Sequence, residues 1–141
     1  MKREMLTLDF LDRAVDLYDD VTGIVAHDGT EYTYAELADR VNRLANALAE
    51  RGIEKGDKVA LLAPNTHYFI ETLYATNTLG AVFVPMNYRL TSGELEYILG
   101  DCDADVVIAD YDYAGNIEPI RESVPAKQFV GYESDRIEGE W

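Results

Sequence analysis

The 141 residues predict an α/β fold, a layered parallel sheet with flanking helices. Three observations carry that expectation. Lys58-Val59-Ala60-Leu61-Leu62-Ala63, Ala81-Val82-Phe83-Val84-Pro85 and Val106-Val107-Ile108-Ala109 are short apolar runs without polar alternation, so each needs cover on both faces. Helical segments separate them, which calls for parallel pairing with crossover helices. Right-handed crossovers then make the unit doubly wound.

Each element has a local cause. From Leu8 to Tyr18, Phe10, Leu11, Ala14, Val15, Leu17 and Tyr18 recur at helical spacing and predict a short amphipathic helix. Gly23-Ile24-Val25-Ala26-His27 and Thr30-Glu31-Tyr32-Thr33 flank Asp28-Gly29, a hairpin signal in which both turn residues take positive φ. His27 beside that turn faces solvent on this reading. Thr33-Tyr34-Ala35-Glu36 fits a capping box, with the Thr hydroxyl and Glu carboxylate each accepting a backbone N–H at a helix start. The helix it opens carries Leu37, Val41, Leu44, Ala45 and Leu48 on one stripe, with Asp39, Arg40 and Arg43 off it, and ends at Gly52.

Pro64 halts the first apolar strand, and Asn65 is expected to cap a helix from Tyr68 to Leu79 that is apolar on most sides and hence buried. Gly80 lets that helix exit, and Pro85 is expected to stop the following strand. Thr91-Ser92-Gly93-Glu94 repeats the capping box and starts a helix through Leu99. Residues 116–124 predict a further helix with Pro119 in its first turn, and 127–132 a fourth strand. From Ser134 the sequence turns polar, and a frayed end is expected. The organisation is one partial subdomain over 1–141: hairpin and helix at 8–51, strand–helix–strand layers at 58–132, and a frayed end at 133–141.

Charge excludes several partners. Twelve Lys and Arg against 27 Asp and Glu leave a net charge of −15. Binding of nucleic acid or of an anionic membrane needs cations that this chain lacks. The acids are dispersed, which suggests adaptation to high salt, where screening relieves self-repulsion; an ordinary acidic cytosolic protein is the alternative. No run approaches the roughly 18 apolar residues of a membrane span, and no apolar signal core follows Met1, so a cytoplasmic location is expected. Cys102, the single cysteine, lies beside Asp101 and Asp103, which disfavour a thiolate, and reads as structural.

No complete catalytic site is legible. A phosphate cradle needs closely spaced glycines at a helix start. The turns Pro64-Asn65-Thr66-His67 and Pro85-Met86-Asn87-Tyr88-Arg89 have none. Ser92, Ser123 and Ser134 lack a nucleophile elbow. Two isolated histidines and one cysteine make no metal cluster, and Asp101, Asp103 and Asp105 form a solvated acidic turn without the residues of a calcium loop. His67, in the first turn of a helix, reads as partly exposed and polar.

Tyr32-Thr33-Tyr34-Ala35-Glu36-Leu37 with Asn42, Leu44 and Ala45 resembles the first signature of the adenylate-forming superfamily. Leu79-Gly80-Ala81-Val82-Phe83-Val84-Pro85-Met86-Asn87 resembles the second, and Asn87-Tyr88-Arg89-Leu90-Thr91-Ser92-Gly93-Glu94-Leu95 is similar to its acid–CoA ligase branch, long-chain fatty acid type. Either motif alone is weak; both in order, at family-like spacing, are specific. The resemblance covers 10–130 and implies the N-terminal subdomain of the acyl-CoA synthetase large domain. It implies a parent enzyme that joins a carboxylic acid to AMP using Mg·ATP and passes the acyl group to CoA. The phosphate loop, adenine stretch, ribose-binding aspartate and C-terminal lysine of that family match no segment here. The chain is therefore expected to be inactive alone, to bind no cofactor, and to partner the remainder of a ligase chain or to dimerise through exposed apolar faces. A stand-alone binding or assembly module of the same descent is the alternative. No residue is assigned a catalytic or metal role. Arg89, a cation near a strand's carboxyl end, is a weak candidate for a phosphate of CoA or ATP; the alternative is an exposed arginine balancing nearby acids such as Glu94. The loop Asp110-Tyr111-Asp112-Tyr113, where some relatives place basic residues for CoA, has no cation.

Overall fold

The computed structural model describes residues 6–133 and 136–139. Helix α1 (Leu8–Tyr18) leads into a hairpin, β1 (Thr22–Val25) and β2 (Glu31–Thr33), and then α2 (Tyr34–Glu50). The main sheet follows: β3 (Lys58–Leu62), α3 (His67–Thr78), β4 (Val82–Met86), α4 (Ser92–Cys102), β5 (Val106–Asp110), a short α5 (Tyr111–Ala114), β6 (Gln128–Glu133) and β7 (Arg136–Gly139). Its strand order is β4-β3-β5-β6-β7. The first four strands are parallel, in a register that aligns Leu61 with Pro85 and Ile108, and Ile108 with Val130. The order reverses beside β3, and the crossover helices on either side of that point lie on opposite faces, as a doubly wound sheet requires.

Strand alternation divides the core in two. Val59, Leu61, Val106 and Ile108 join Leu37, Val41, Ala45 and Leu48 under α1, α2 and α3. Ala60, Leu62, Val107 and Ala109 join Leu95, Leu99, Ile117 and Ile120 under α4 and the one-turn 3-10 helix Glu118–Ile120. Leu61, Leu62, Leu95 and Leu99 are fully buried, each contributing about 1.5–3 kcal/mol.

The capping box forms as expected. Thr33 N–H donates to the Glu36 carboxylate at 2.8 Å, and Glu36 N–H donates to Thr33 Oγ1 at 3.2 Å. At the start of α4, Thr91 gives both its N–H (2.9 Å) and its hydroxyl (2.8 Å) to Glu94. Gly80 has φ +70° and Lys55 Cγ 3.2 Å from where a Cβ would stand, so glycine there is both a conformational and a packing requirement.

Five local expectations change. The hairpin turn is a three-residue loop: Gly29 N–H donates to the Ala26 carbonyl at 3.0 Å, and Ala26 N–H to the Thr30 carbonyl at 2.8 Å. Only Gly29 takes positive φ, because Asp28 stabilises the loop through its side chain, accepting Thr30 N–H at 2.9 Å. Thr66, not Asn65, is the N-cap residue of α3. Pro85 does not stop β4 but sits inside it, tolerated because β4 is an edge strand that leaves one row of N–H groups unused. The helix expected over 116–124 shrinks to the 3-10 turn Glu118–Ile120, with Pro119 in its first turn and Pro125 biasing Val124 away from helical backbone. Within the stretch expected to fray, β6 extends to Glu133 and β7 pairs antiparallel with it. Ser134, Asp135, Glu140 and Trp141 lie outside the described residues.

Candidate functional site

The carboxyl ends of the parallel strands open to solvent. An open cavity of about 400 Å³ lies where β3 and β4 end, with Met86 and Phe69 beneath and Asn65, Asn87 and Arg89 at the rim. Asn87 Oδ1 accepts Arg89 N–H at 3.0 Å. This side-chain turn fixes the backbone as β4 gives way to the loop. Arg89 is exposed, and its guanidinium lies 5.4 Å from the centre of the Tyr88 ring. Tyr88 in turn packs on Tyr113 at 5.0 Å. Glu94, a plausible counter-charge in the sequence, is engaged by Thr91 instead, whose backbone N–H holds the carboxyl below its ordinary range. Among the described residues Arg89 makes no ion pair. It is a tethered, aromatic-backed cation at the place where doubly wound sheets receive ligands.

A second cluster, missed by sequence reading, is buried at the other side of the same end of the sheet. Arg40 of α2 grips Glu71 of α3 with two hydrogen bonds, Nε–Oε1 at 2.6 Å and Nη2–Oε2 at 3.2 Å. The Glu71 side chain is 6% exposed and that of Arg40 26%. Bidentate geometry makes this a strong charge-assisted pair, and Glu71 raises the Arg40 pKa. The guanidinium also lies 4.8 Å from the Tyr32 ring centre. His67 is buried, not partly exposed as expected, because neighbouring aromatic rings cover it. It packs on Tyr32 and Tyr68, and Tyr68 on Tyr132. Burial lowers the His67 pKa and raises those of Tyr68, Asp110 and Tyr132. The available signal was the one acidic residue in the middle of a helix with no other formal charge, since a buried carboxylate requires a partner.

The other singled-out residues stay apart. His27 is exposed in the hairpin turn. Burial raises the Cys102 thiol pKa, which suits a structural residue and not a nucleophile. Asp103 caps α4 in the left-handed region at φ 56°, and Asp105 accepts Lys58 N–H at 2.7 Å. Both are structural. Among the described residues, no group of acidic, His or Cys side chains could hold a metal ion, and no helix is long and apolar enough to cross a membrane. Ser92 opens α4, Ser123 follows the 3-10 turn and donates its hydroxyl to the Ile120 carbonyl at 2.9 Å, and Ser134 is outside the described residues.

Fold and site together define a doubly wound α/β unit with an open crevice at its strand ends and no glycine cradle of its own. The profile of the AMP-binding enzyme family matches residues 11–138. The chain belongs to that family. It is 48% identical over 93 residues to a feruloyl-CoA synthase of an Amycolatopsis species, covering 66% of this chain and 19% of the relative. It is 36% identical over 122 residues to a 3-oxocholest-4-en-26-oate–CoA ligase of Rhodococcus rhodochrous, covering 86% and 22%. The chain thus spans about a fifth of the length of these curated relatives. Among solved structures, it superposes on an anthranilate CoA ligase in complex with anthranoyl-AMP with TM-score 0.88 and 28% identity, over 94% of this chain and 26% of that one. On a Mycobacterium tuberculosis fatty acyl CoA synthetase the values are 0.85 and 33%, over 90% and 26%. The fold is that of the N-terminal part of acyl-CoA synthetases.

Proposed function

We propose that this chain is the N-terminal layer of an ATP-dependent acid–CoA ligase. The parent protein converts a carboxylate and Mg·ATP to an acyl adenylate and pyrophosphate, then transfers the acyl group to the thiol of CoA. The supporting observation is the family match over 11–138, a range that includes both signature segments, at the β2–α2 junction and around β4. Chemically, adenylation exchanges a poor leaving group, carboxylate oxygen, for a good one, AMP. The chain contributes a rigid sheet whose carboxyl-end loops present Arg89 to a phosphate of CoA or ATP. It is inactive alone, because its sequence holds no turn of closely spaced glycines that would turn several backbone N–H groups toward a triphosphate. The remainder of the ligase is its partner, the cytoplasm its compartment, and, separated from that remainder, it self-associates through exposed apolar side chains such as Phe10 and Leu17.

The substrate we propose is a fatty acid. A second reading, an aromatic acrylic acid, is favoured by the 48% identity to a feruloyl-CoA synthase. Hydroxylamine trapping of acyl adenylates by the full-length parent, across saturated fatty acids and hydroxycinnamates, separates the two. Selective trapping of fatty acids supports the first reading and selective trapping of hydroxycinnamates the second. Trapping of neither, with ATP consumed by other acids, removes both.

A further inference from the structure

We propose that His67 is a proton-operated latch that fastens the hairpin and α2 to the start of α3. His67 opens α3 at 7% exposure, and neither Nδ1 nor Nε2 meets a hydrogen-bond partner among the described residues. Its ring packs on Tyr32 of β2 at 5.4 Å and on Tyr68 at 4.0 Å, and Tyr68 continues the stack to Tyr132 of β6 at 4.4 Å. One aromatic stack that includes this imidazole therefore links the hairpin, α3 and, through Tyr68, the sheet.

The latch is closed when that imidazole is neutral. Titratable and charged groups face it from every side: Tyr32 on β2, Arg40 on α2, Tyr68 and Glu71 on α3, His27 and Asp28 in the hairpin turn, and Tyr132 behind Tyr68. An imidazolium is best met by a carboxylate, and the two that act on His67 already accept hydrogen bonds from other donors. Glu71, one helical turn away, is held by Arg40 through both oxygens. Asp28 Oδ1 accepts Thr30 N–H. The Tyr32 ring already carries the Arg40 guanidinium 4.8 Å from its centre. An imidazolium would thus place a second cation beside Arg40, the two competing for one carboxylate in a poorly hydrated space. Relief comes by opening the hairpin and α2 away from α3, which admits water.

The sign follows from linkage. Burial first, and Arg40 second among the lowering causes, depress the folded-state pKa, while Glu71 opposes them. A histidine depressed below its unfolded value of about 6.5 leaves the latch fully closed above that pH. Stability is then lost as pH falls through the folded value, because the open state binds the proton more tightly.

The test uses the whole 141-residue chain. It contains two histidines, so His27→Asn assigns the two imidazole Cε1–H signals in an NMR titration. Amide hydrogen exchange is measured in parallel at about pH 7.5 and about pH 5.5, either side of the histidine range, and corrected for intrinsic rates. The latch predicts that His67 titrates below the ordinary range and that hairpin and α2 amides open severalfold more often at the lower pH. Each unit of depression corresponds to a tenfold change in the opening constant. In His67→Phe, which keeps a ring but takes no proton, that acceleration disappears. Persistence of the acceleration in His67→Phe, or a wild-type His67 titrating at or above the ordinary range, overturns the proposal. If His67→Phe does not fold, the wild type decides: the midpoint of opening coincides with the His67 titration, and a midpoint set by another group overturns the latch.

Discussion

Removing the Glu71 carboxylate would leave Arg40 charged and unpaired against α3. Breaking a fully buried pair from one side costs about 3–5 kcal/mol. Arg40 keeps about a quarter of its side chain in water, so we expect Glu71→Gln to cost roughly 2–3 kcal/mol in urea unfolding; a loss below about 0.5 kcal/mol would mean that the pair is a solvated surface contact. Arg89 behaves differently, since it is exposed and makes no ion pair. Arg89→Ala in the full-length parent is expected to leave folding unchanged and to raise the KM for CoA or ATP roughly tenfold, the worth of one charge-assisted contact. Unchanged KM values for both would remove Arg89 from ligand binding. These two arginines differ in how legible they were. Arg89 follows a strand within a recognisable motif, so its position near the crevice could be inferred. The role of Arg40 depends on Glu71, 31 residues later in the chain, and no local pattern announces a pair formed by packing α2 on α3.

At the scale of elements, residues that satisfy their own backbone were the readable ones. Thr33→Ala removes the hydroxyl half of the capping box and should cost about 1 kcal/mol, measured as a shift in denaturant midpoint at constant slope. Both capping boxes are local and formed where their spelling placed them. So did the apolar strands β3 and β5, whose sequences permit burial on both faces. Expectations failed where an element's state is set by a neighbour. Pro85 lies within a strand because β4 has no partner beyond it among the described residues. His67 is buried because the hairpin folds over it. β7 exists because β6 offers it an edge, which its polar sequence alone does not reveal. Leu99→Ala, in the core beneath α4, should cost about 2–5 kcal/mol and expose the α4 face of the sheet.

For the molecule as a whole, charge is the dominant non-specific term. A net charge of −15 on 141 residues repels itself, and added salt shortens that repulsion from about 10 Å at 0.1 M to about 3 Å at 1 M. The melting temperature should therefore rise between about 0.1 M and about 1 M KCl; a flat or falling profile would argue against salt adaptation. The same scale decides function, because the fold was legible from strand and helix patterning while the activity rests on a family likeness that spans about a fifth of its relatives. ATP–pyrophosphate exchange, run side by side on this chain and on the longer ligase proposed to contain it, tests that account most directly. The account predicts acid-dependent exchange by the longer ligase and background for the 141 residues alone. Exchange sustained by the short chain, or none by the long one with any carboxylic acid, would contradict it.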